Sequence, residues 1–481
     1  MYRCEVVAAL LLGAVVVVQV TTAAEVVPKA AVIASIQASR STYDAIAHEI
    51  WEWAEVGYQE SKSSARLQAQ LRKAGFDVET GVAGMPTAFI ASYGSGSPTI
   101  ALIAEFDALP GLSQAAVPDR EPVADGAAGH GCGHHLFGTG SVAAAVALRE
   151  WMERSEIEGT LRVYGTPAEE GGSGKVYLTR AGLFDDVDVA LHWHPSDRNR
   201  TFASATLANK SAEFRFVGEA AHAARSPERG RSALDGVEAM NFMVNLMREH
   251  IPEKARIHYV ITGGGDAPNI VPERAAVYYY VRHPDPDVLG SLWERVEAAA
   301  EGAARGTGTL VEREVMHGNF SVLRNDVLAR QIDANLRELG GVVYDAREQA
   351  FATKLRANLR EPDLELGTER DVQPLTHELS MGSTDVGDVS WNVPTGGVRI
   401  ATWVPGTAAH SWQAVAAGGM SIGSKGMILA AEVLAATAID LYLDPELVAA
   451  AHKELEERRG PDFHYTPLLG DRTPPLDYRR R

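Results

Sequence analysis

Cysteine is almost absent from this chain: 481 residues hold two, Cys4 and Cys132. Cys4 belongs to an N-terminal stretch that reads as a secretory signal peptide over residues 1–24. Arg3 is its charged start, residues 6–20 are nearly all apolar, and Thr22-Ala23-Ala24 is a small-residue cleavage site before Glu25. Cleavage leaves Cys132 alone, which excludes an internal disulfide even though export normally favours them. That thiol therefore has another use. The apolar run is too short for a comfortable membrane crossing, so no stable span is expected after cleavage, and the mature chain is expected to be secreted, in the periplasm. Positive charge is scarce as well. The chain has 45 Lys and Arg against 63 Asp and Glu, a net charge of -18, which argues against nucleic acid or an anionic membrane surface as a partner. Internal repeats and low-complexity tracts are missing too. What remains is an ordinary globular composition, 46% hydrophobic and 22% charged, on a chain too long for one core, so two domains are expected.

The patterning alternates helices and strands. Residues 41–56 read as an amphipathic helix capped by Ser41, and 60–75 as a second helix ended by glycine. TIALIAEF is nearly continuously apolar, like a central strand of a parallel sheet, and ends at Asp107-Ala108-Leu109-Pro110. TLRVYGT ends in Pro167-Ala168-Glu169-Glu170, and VDVALHW ends in His194-Pro195. An alanine-rich helix over 136–154 lies between the first two. In open α/β sheets ligands bind beyond the carboxyl ends of strands, so these polar residues fall on one rim. From about Asn209 the order becomes strand, helix, strand, strand, helix, strand, the split βαβ order of a ferredoxin-like unit. The expected fold is therefore α/β: a mixed, mostly parallel sheet domain over 25–206 and 319–457, an inserted ferredoxin-like α+β domain over 207–318, and an irregular arm over 458–481.

The chemistry gathers at HGCGHH, residues 130–135. Cys132 and His134 stand two apart across a glycine, so both can face one borderline-soft divalent ion. Glu169 and Glu170 cannot both point at one ion, but one can ligate while the other reaches a water, the division that metal-assisted hydrolysis needs. A Glu pair is more often a solvated turn; here a buried strand precedes it and GGSGK follows. His192 and His194 alternate on one strand face, so either or both can ligate, or one can be a satisfied core histidine. His410, in GTAAHSWQA, is a candidate because the ligand set is otherwise one short for two ions.

HGCGHH, PAEEGGSGK, the strand-end histidine before proline and the late GTAAHSW together resemble the family 20 metallopeptidases of the aminoacylase and carboxypeptidase type. EFDALPGLSQ, GSTDVGDVSWNVPT and AHSWQAVAAGGMSIGSKGM resemble the p-aminobenzoyl-glutamate hydrolase group within it. The resemblance covers nearly the whole mature chain. It implies a dimeric, di-metal amidohydrolase with a lid domain, carrying two divalent ions, zinc or manganese by preference. Cys132, His134, Glu170, His410 and a histidine of the LHWHP run, His194 over its alternative His192, match the ligands. Glu169 matches the general base and Asp107 the aspartate that supports the site. Glu105 stands where many relatives carry a histidine ligand, and His135 where they carry Asp or Asn. In GEAAHAARSP, His222 matches a lid histidine that polarises the scissile carbonyl, often in the partner's site. Asn269 and Arg282, the latter in AAVYYYVR, match substrate-holding residues, and an arginine can grip a carboxylate with two parallel hydrogen bonds. The expected activity is cleavage of an amide between an acyl or aminoacyl group and an amino acid with a free carboxylate, of the aminobenzoyl-glutamate or N-acyl-amino-acid type. The alternatives are an exopeptidase or dipeptidase, or a non-catalytic subunit or binding protein on the same scaffold. A small-molecule amide or dipeptide is the expected substrate, and a heteromeric partner is compatible with the resemblance.

Overall fold

Eleven strands order the chain in the computed structural model, which describes residues 26–479. They are β1 (Asp77–Thr80), β2 (Phe89–Ser95), β3 (Thr99–Glu105), β4 (Gly159–Thr166), β5 (Val189–Ser196), β6 (Arg200–Phe202), β7 (Ala208–Val217), β8 (Arg256–Gly263), β9 (Arg274–His283), β10 (Leu310–Asn319) and β11 (Thr395–Ala401). The expected signal peptide lies outside the described residues.

Seven strands form one sheet in the order β1-β2-β4-β3-β5-β11-β6. The four central strands, β4-β3-β5-β11, run parallel, while β1, β2 and β6 join antiparallel at the edges. Every residue of β3 is buried, as its continuous apolar run requires of a strand covered on both faces. Helix His134–Arg154 links β3 to β4 across one face and packs on helix Ser421–Leu443. That last helix is long and apolar enough to cross a membrane, but it lies mostly buried in this core. The antiparallel strands make the sheet mixed and mostly parallel, as expected. They are short or half-exposed, and they close the sheet where no crossover helix covers it. Ser41 does not cap the early helix: helix Lys29–Ala38 runs into helix Arg40–Trp53, and Ser39 occupies the junction without a side-chain cap bond.

The remaining four strands form a second sheet in the order β10-β7-β9-β8, antiparallel throughout, with helices Ala233–Met247 and Pro286–Thr307 as its connections. This is the ferredoxin-like order. Its core, built on Phe214, Phe216, Val277, Tyr279 and Trp293, forms a cluster separate from that of the large sheet. After helix Pro445–Arg459 the chain forms no further helix or strand among the described residues, and it runs back across the molecule.

Candidate metal centre

β3 is the point where the large sheet changes direction: the next strand in sequence, β4, lies on one side of it and β5 on the other. A crevice opens beyond the carboxyl ends at such a point. Asp107 follows β3, Cys132 and His134 sit at the start of the helix leaving that rim, and Glu169 and Glu170 follow β4. His194 is carried by β5, and His410 lies in the loop after β11. Gly133 makes the approach feasible. It takes φ +78°, and a Cβ there would stand 2.7 Å from Pro195.

Ligand-type atoms converge on Cys132. His194 Nε2 is 3.5 Å from Cys132 Sγ, and His410 Nε2 is 3.0 Å from Glu170 Oε1. Two overlapping triads result, Cys132–His134–His194 and Cys132–Glu170–His410, with donor atoms within 4.8 Å of one another in each. A third group, Glu105–His134–Glu169, adjoins them. The tautomers follow from the partners. His194 Nδ1 donates to the Pro195 carbonyl at 2.7 Å, and His134 Nδ1 donates to Asp107 Oδ1 at 2.8 Å, so each ring turns its Nε2 lone pair inward. His134 Nε2 and Glu105 Oε2 lie 3.0 Å apart, yet neither completes a hydrogen bond, and both are buried. Orphaned donor atoms of imidazole and carboxylate type, gathered beside a thiol, fit a pair of divalent ions.

Burial lowers His134, but the Cys132, Glu105 and Asp107 charges outweigh it and raise the imidazole well above its usual range, as in an anionic cluster that attracts positive charge. Burial, then Arg399 and His134, hold the His194 imidazole well below its usual range, in the neutral form a ligand needs. Hydrogen bonds with Cys132 and Glu170 push His410 up to about 10, so the anionic cluster retains a proton where a cation would be welcome. Burial, with the Glu105, Glu170 and Asp385 carboxylates, pushes Glu169 well above the ordinary carboxylate range. Glu169 is half-buried, and its carboxylate makes no hydrogen bond or ion pair among the described residues. A carboxylate left free beside a ligand cluster can move a proton.

The turn bearing the two glutamates is held from several sides. Ala168 and Ser173 take left-handed conformations at φ 56° and 61°, and His410 does so at φ 58°. Non-glycine residues persist there only when their surroundings fix them. Buried Glu60 accepts the Ala168 N–H at 2.9 Å and the Thr87 hydroxyl at 2.9 Å. Asp107 Oδ2 accepts the Glu170 N–H at 3.0 Å. From the C-terminal arm, Tyr478 and Arg479 donate to the Glu170 carbonyl at 2.9 and 2.5 Å. Beneath, buried Lys175 bridges Glu105 at 2.6 Å and Asp385 at 2.7 Å.

A cavity of about 390 Å³ opens above this floor. Its wall from the second sheet includes Asn209, Tyr280, Arg282 and His317; Asn209 pairs in register with both Arg282 and Asn319, so the three strands present one row to the site. Arg282 Nη1 donates to Ser383 Oγ at 3.3 Å. The opposite wall carries His192, Phe202 and Arg399.

The structure thus brings together Cys132, His134, Glu169, Glu170, His194 and His410, with Asp107 behind them and Arg282 facing them. His192 lines the cavity but joins no ligand group among the described residues; it packs on the Phe202 ring, and its imidazole is pushed down to about 3 by burial, Lys175 and Arg399. His135 faces away, donating to the Gly418 carbonyl and packing on His130. His222 and Asn269 are exposed neighbours on the small sheet's flank and do not line the cavity. Glu60, Lys175, Asp385, His317 and Arg399 are site residues that sequence reasoning missed, and Glu105, noted there as replacing a histidine ligand, lies against His134. Only GSTDVGDVSW, through the family resemblance, hinted at Asp385.

Among known proteins, the profile of peptidase family M20/M25/M40 matches residues 101–467. The chain is 41% identical over 467 residues to a subunit of the p-aminobenzoyl-glutamate hydrolase of Escherichia coli (strain K12), covering 92% of this chain and 97% of that protein. It is 30% identical over 428 residues to the Xaa-Arg dipeptidase of Mus musculus, covering 86% and 88%. A dinuclear metal binding peptidase of the M20 family from Bacillus subtilis superposes with a TM-score of 0.57 at 18% identity, covering 83% of this chain and 99% of that one, which shows a shared fold.

Proposed function

The chain belongs to peptidase family M20/M25/M40 and is a hydrolase of amide bonds, and from that premise we propose its substrate class and the role of each site residue. The bond cleaved joins an acyl or aminoacyl group to an amino acid with a free carboxylate, of the N-acyl-amino-acid or aminobenzoyl-glutamate type. Cys132, His134 and His194 would hold one divalent ion, and Cys132, Glu170 and His410 a second, with zinc or manganese suited to this donor set. Such ions supply a water of pKa about 7 and polarise the carbonyl.

The protein's own groups do the rest. Asp107 fixes the His134 tautomer. Glu169 takes the proton of the attacking water on its free carboxylate and returns it to the departing amine nitrogen. Arg282, with no acid partner among the described residues, grips the substrate carboxylate. His222 donates to the developing oxyanion, with Asn269 beside it. Both sit on the flank of the small sheet, so we assign them to the site of a second copy. Exposed Phe242 and Leu246, with Val260 and Ile261 on edge strand β8, give that copy an apolar surface to bury. The small sheet then serves as lid and dimerisation domain. The signal-like pattern of residues 1–24 supports export to the periplasm.

One observation carries this reading: two ligand triads share Cys132 while the neighbouring Glu169 carboxylate stays free. The Glu169→Ala variant keeps its metal and loses roughly 10²–10⁴-fold in kcat, as expected for a missing proton shuttle; hydrolysis at the parent rate removes Glu169 from the mechanism. The Cys132→Ala variant loses metal by elemental analysis; full metal content removes the thiol from the ligand set. The mouse relative, named a dipeptidase, supports a second reading, an exopeptidase acting on free dipeptides. A panel of N-acyl amino acids, aminobenzoyl-glutamate and dipeptides separates the two. The Escherichia coli relative, named as one subunit of its enzyme, also supports a heteromeric partner. An amide that binds the metal-loaded protein without being cleaved points to a non-catalytic subunit.

A further inference from the structure

Two guanidinium groups line the cavity, and neither has an acid partner among the described residues. Arg282 meets only Ser383 and the Tyr280 ring. Arg399 makes no side-chain hydrogen bond or ion pair among them; it stacks on the face of Phe202, 4.9 Å away, and its Nε is buried and unpartnered. Buried arginines in proteins are normally paired. Asp197, the carboxylate whose charge acts on Arg399, is occupied elsewhere: Arg198 holds both its oxygens at 2.8 and 2.9 Å, and the Gly406 N–H adds a third contact.

The placement of Arg399 is specific. It lies on β11 in register with His194 of β5 and Arg200 of β6; His194 and Arg399 line the cavity, and Arg200 does not. Arg282 comes from β9, on the opposite wall. No cavity acid pairs with Arg399 among the described residues: Glu170 meets His410, Glu105 and Asp385 meet Lys175, and Glu169 makes no ion pair. One anionic group on the substrate satisfies Arg282 and leaves Arg399 without a partner. Two anionic groups satisfy both.

Resting on the amidohydrolase reading above, we propose that Arg399 anchors a second carboxylate, so that the preferred substrates are N-acyl derivatives of dicarboxylic amino acids. A guanidinium fork matches a carboxylate with two parallel hydrogen bonds, whereas the neutral amide isostere leaves one of its N–H groups unpaired. The same charge repels a cationic side chain, which sets this cavity against dipeptides ending in arginine.

The test compares N-acyl-glutamate with N-acyl-glutamine on the metal-loaded protein, and measures binding of glutarate and butyrate by calorimetry. The parent favours the glutamate substrate by at least tenfold in kcat/KM and binds glutarate more tightly than butyrate. In Arg399→Met that preference collapses, with the loss on the glutamate substrate falling in KM and at least tenfold larger than the loss on the glutamine substrate; Arg399→Lys restores part of it. Equal handling of the two substrates by the parent overturns the proposal. So does an equal loss on both in Arg399→Met, or faster cleavage of an arginine-terminated dipeptide. If neither amide is cleaved but glutarate still binds through Arg399, the amidohydrolase reading fails and the second anchor stands.

Discussion

Glu432 shows what burial does to a single carboxyl. It lies within helix Ser421–Leu443, almost wholly buried, and accepts one hydrogen bond from Gln37 at 2.5 Å. Desolvation pushes it up to about 7. Its unfolded value is near 4.3, so between these values the folded state keeps a proton that the unfolded state releases. Stability therefore falls as pH rises from about 4 to 7 and levels off above, by an amount on the order of 3 kcal/mol at most. Glu432→Gln keeps the acceptor for Gln37 and removes the ionisation. Its melting temperature should match the parent near pH 4 and exceed it at pH 8; the same difference at both pH values contradicts this account. The same physics explains why some site residues were hidden in the sequence. Lys175 and Arg399 drew no reading from the sequence, because nothing in their immediate neighbours reports that one is fully buried and the other faces a cavity.

At the scale of elements, the C-terminal arm is the least expected contributor. Leu476 accepts from Gln59, Arg180 donates to the Gly470 and Arg472 carbonyls, and Tyr478 and Arg479 end on the Glu170 carbonyl. The arm does not line the cavity, so it acts on the catalytic turn and leaves the substrate untouched. Ending the chain at Pro475 should lower kcat roughly tenfold, the scale of one or two lost hydrogen bonds, with KM little changed. An unchanged kcat means the turn holds itself. Such a segment has no periodicity, since backbone carbonyls do most of the binding, and so it was legible only as irregular. Strands β3, β4 and β5 were legible because continuous apolar runs end in polar residues. Strands β1, β2 and β6 were not: they are short or half-exposed, and the antiparallel pairing depends on neighbours distant in sequence. The ferredoxin-like unit was legible from the order of its six elements, with β7 and β9 alternating clearly while β8 and β10 do not.

For the molecule as a whole, the convergence of ligand-type residues was readable because chemistry of this kind needs particular residue types at strand ends. Whether a second copy completes the site is not readable from spacing, and the exposed position of His222 makes it the point to test. If His222 works in the partner's site, Glu169→Ala and His222→Ala chains, each nearly inactive alone, restore one intact site per hybrid dimer when co-expressed. A statistical mixture then recovers roughly a quarter of the parent activity. A mixture as inactive as its components shows that His222 serves its own chain or none.

The account as a whole rests on two ions flanking one thiol. Anomalous diffraction from metal-loaded crystals tests it directly. Two peaks should appear, both bonded to Cys132 Sγ, one with His134 and His194 and the other with Glu170 and His410. A lone ion remote from Cys132, or two ions held by other side chains, contradicts it.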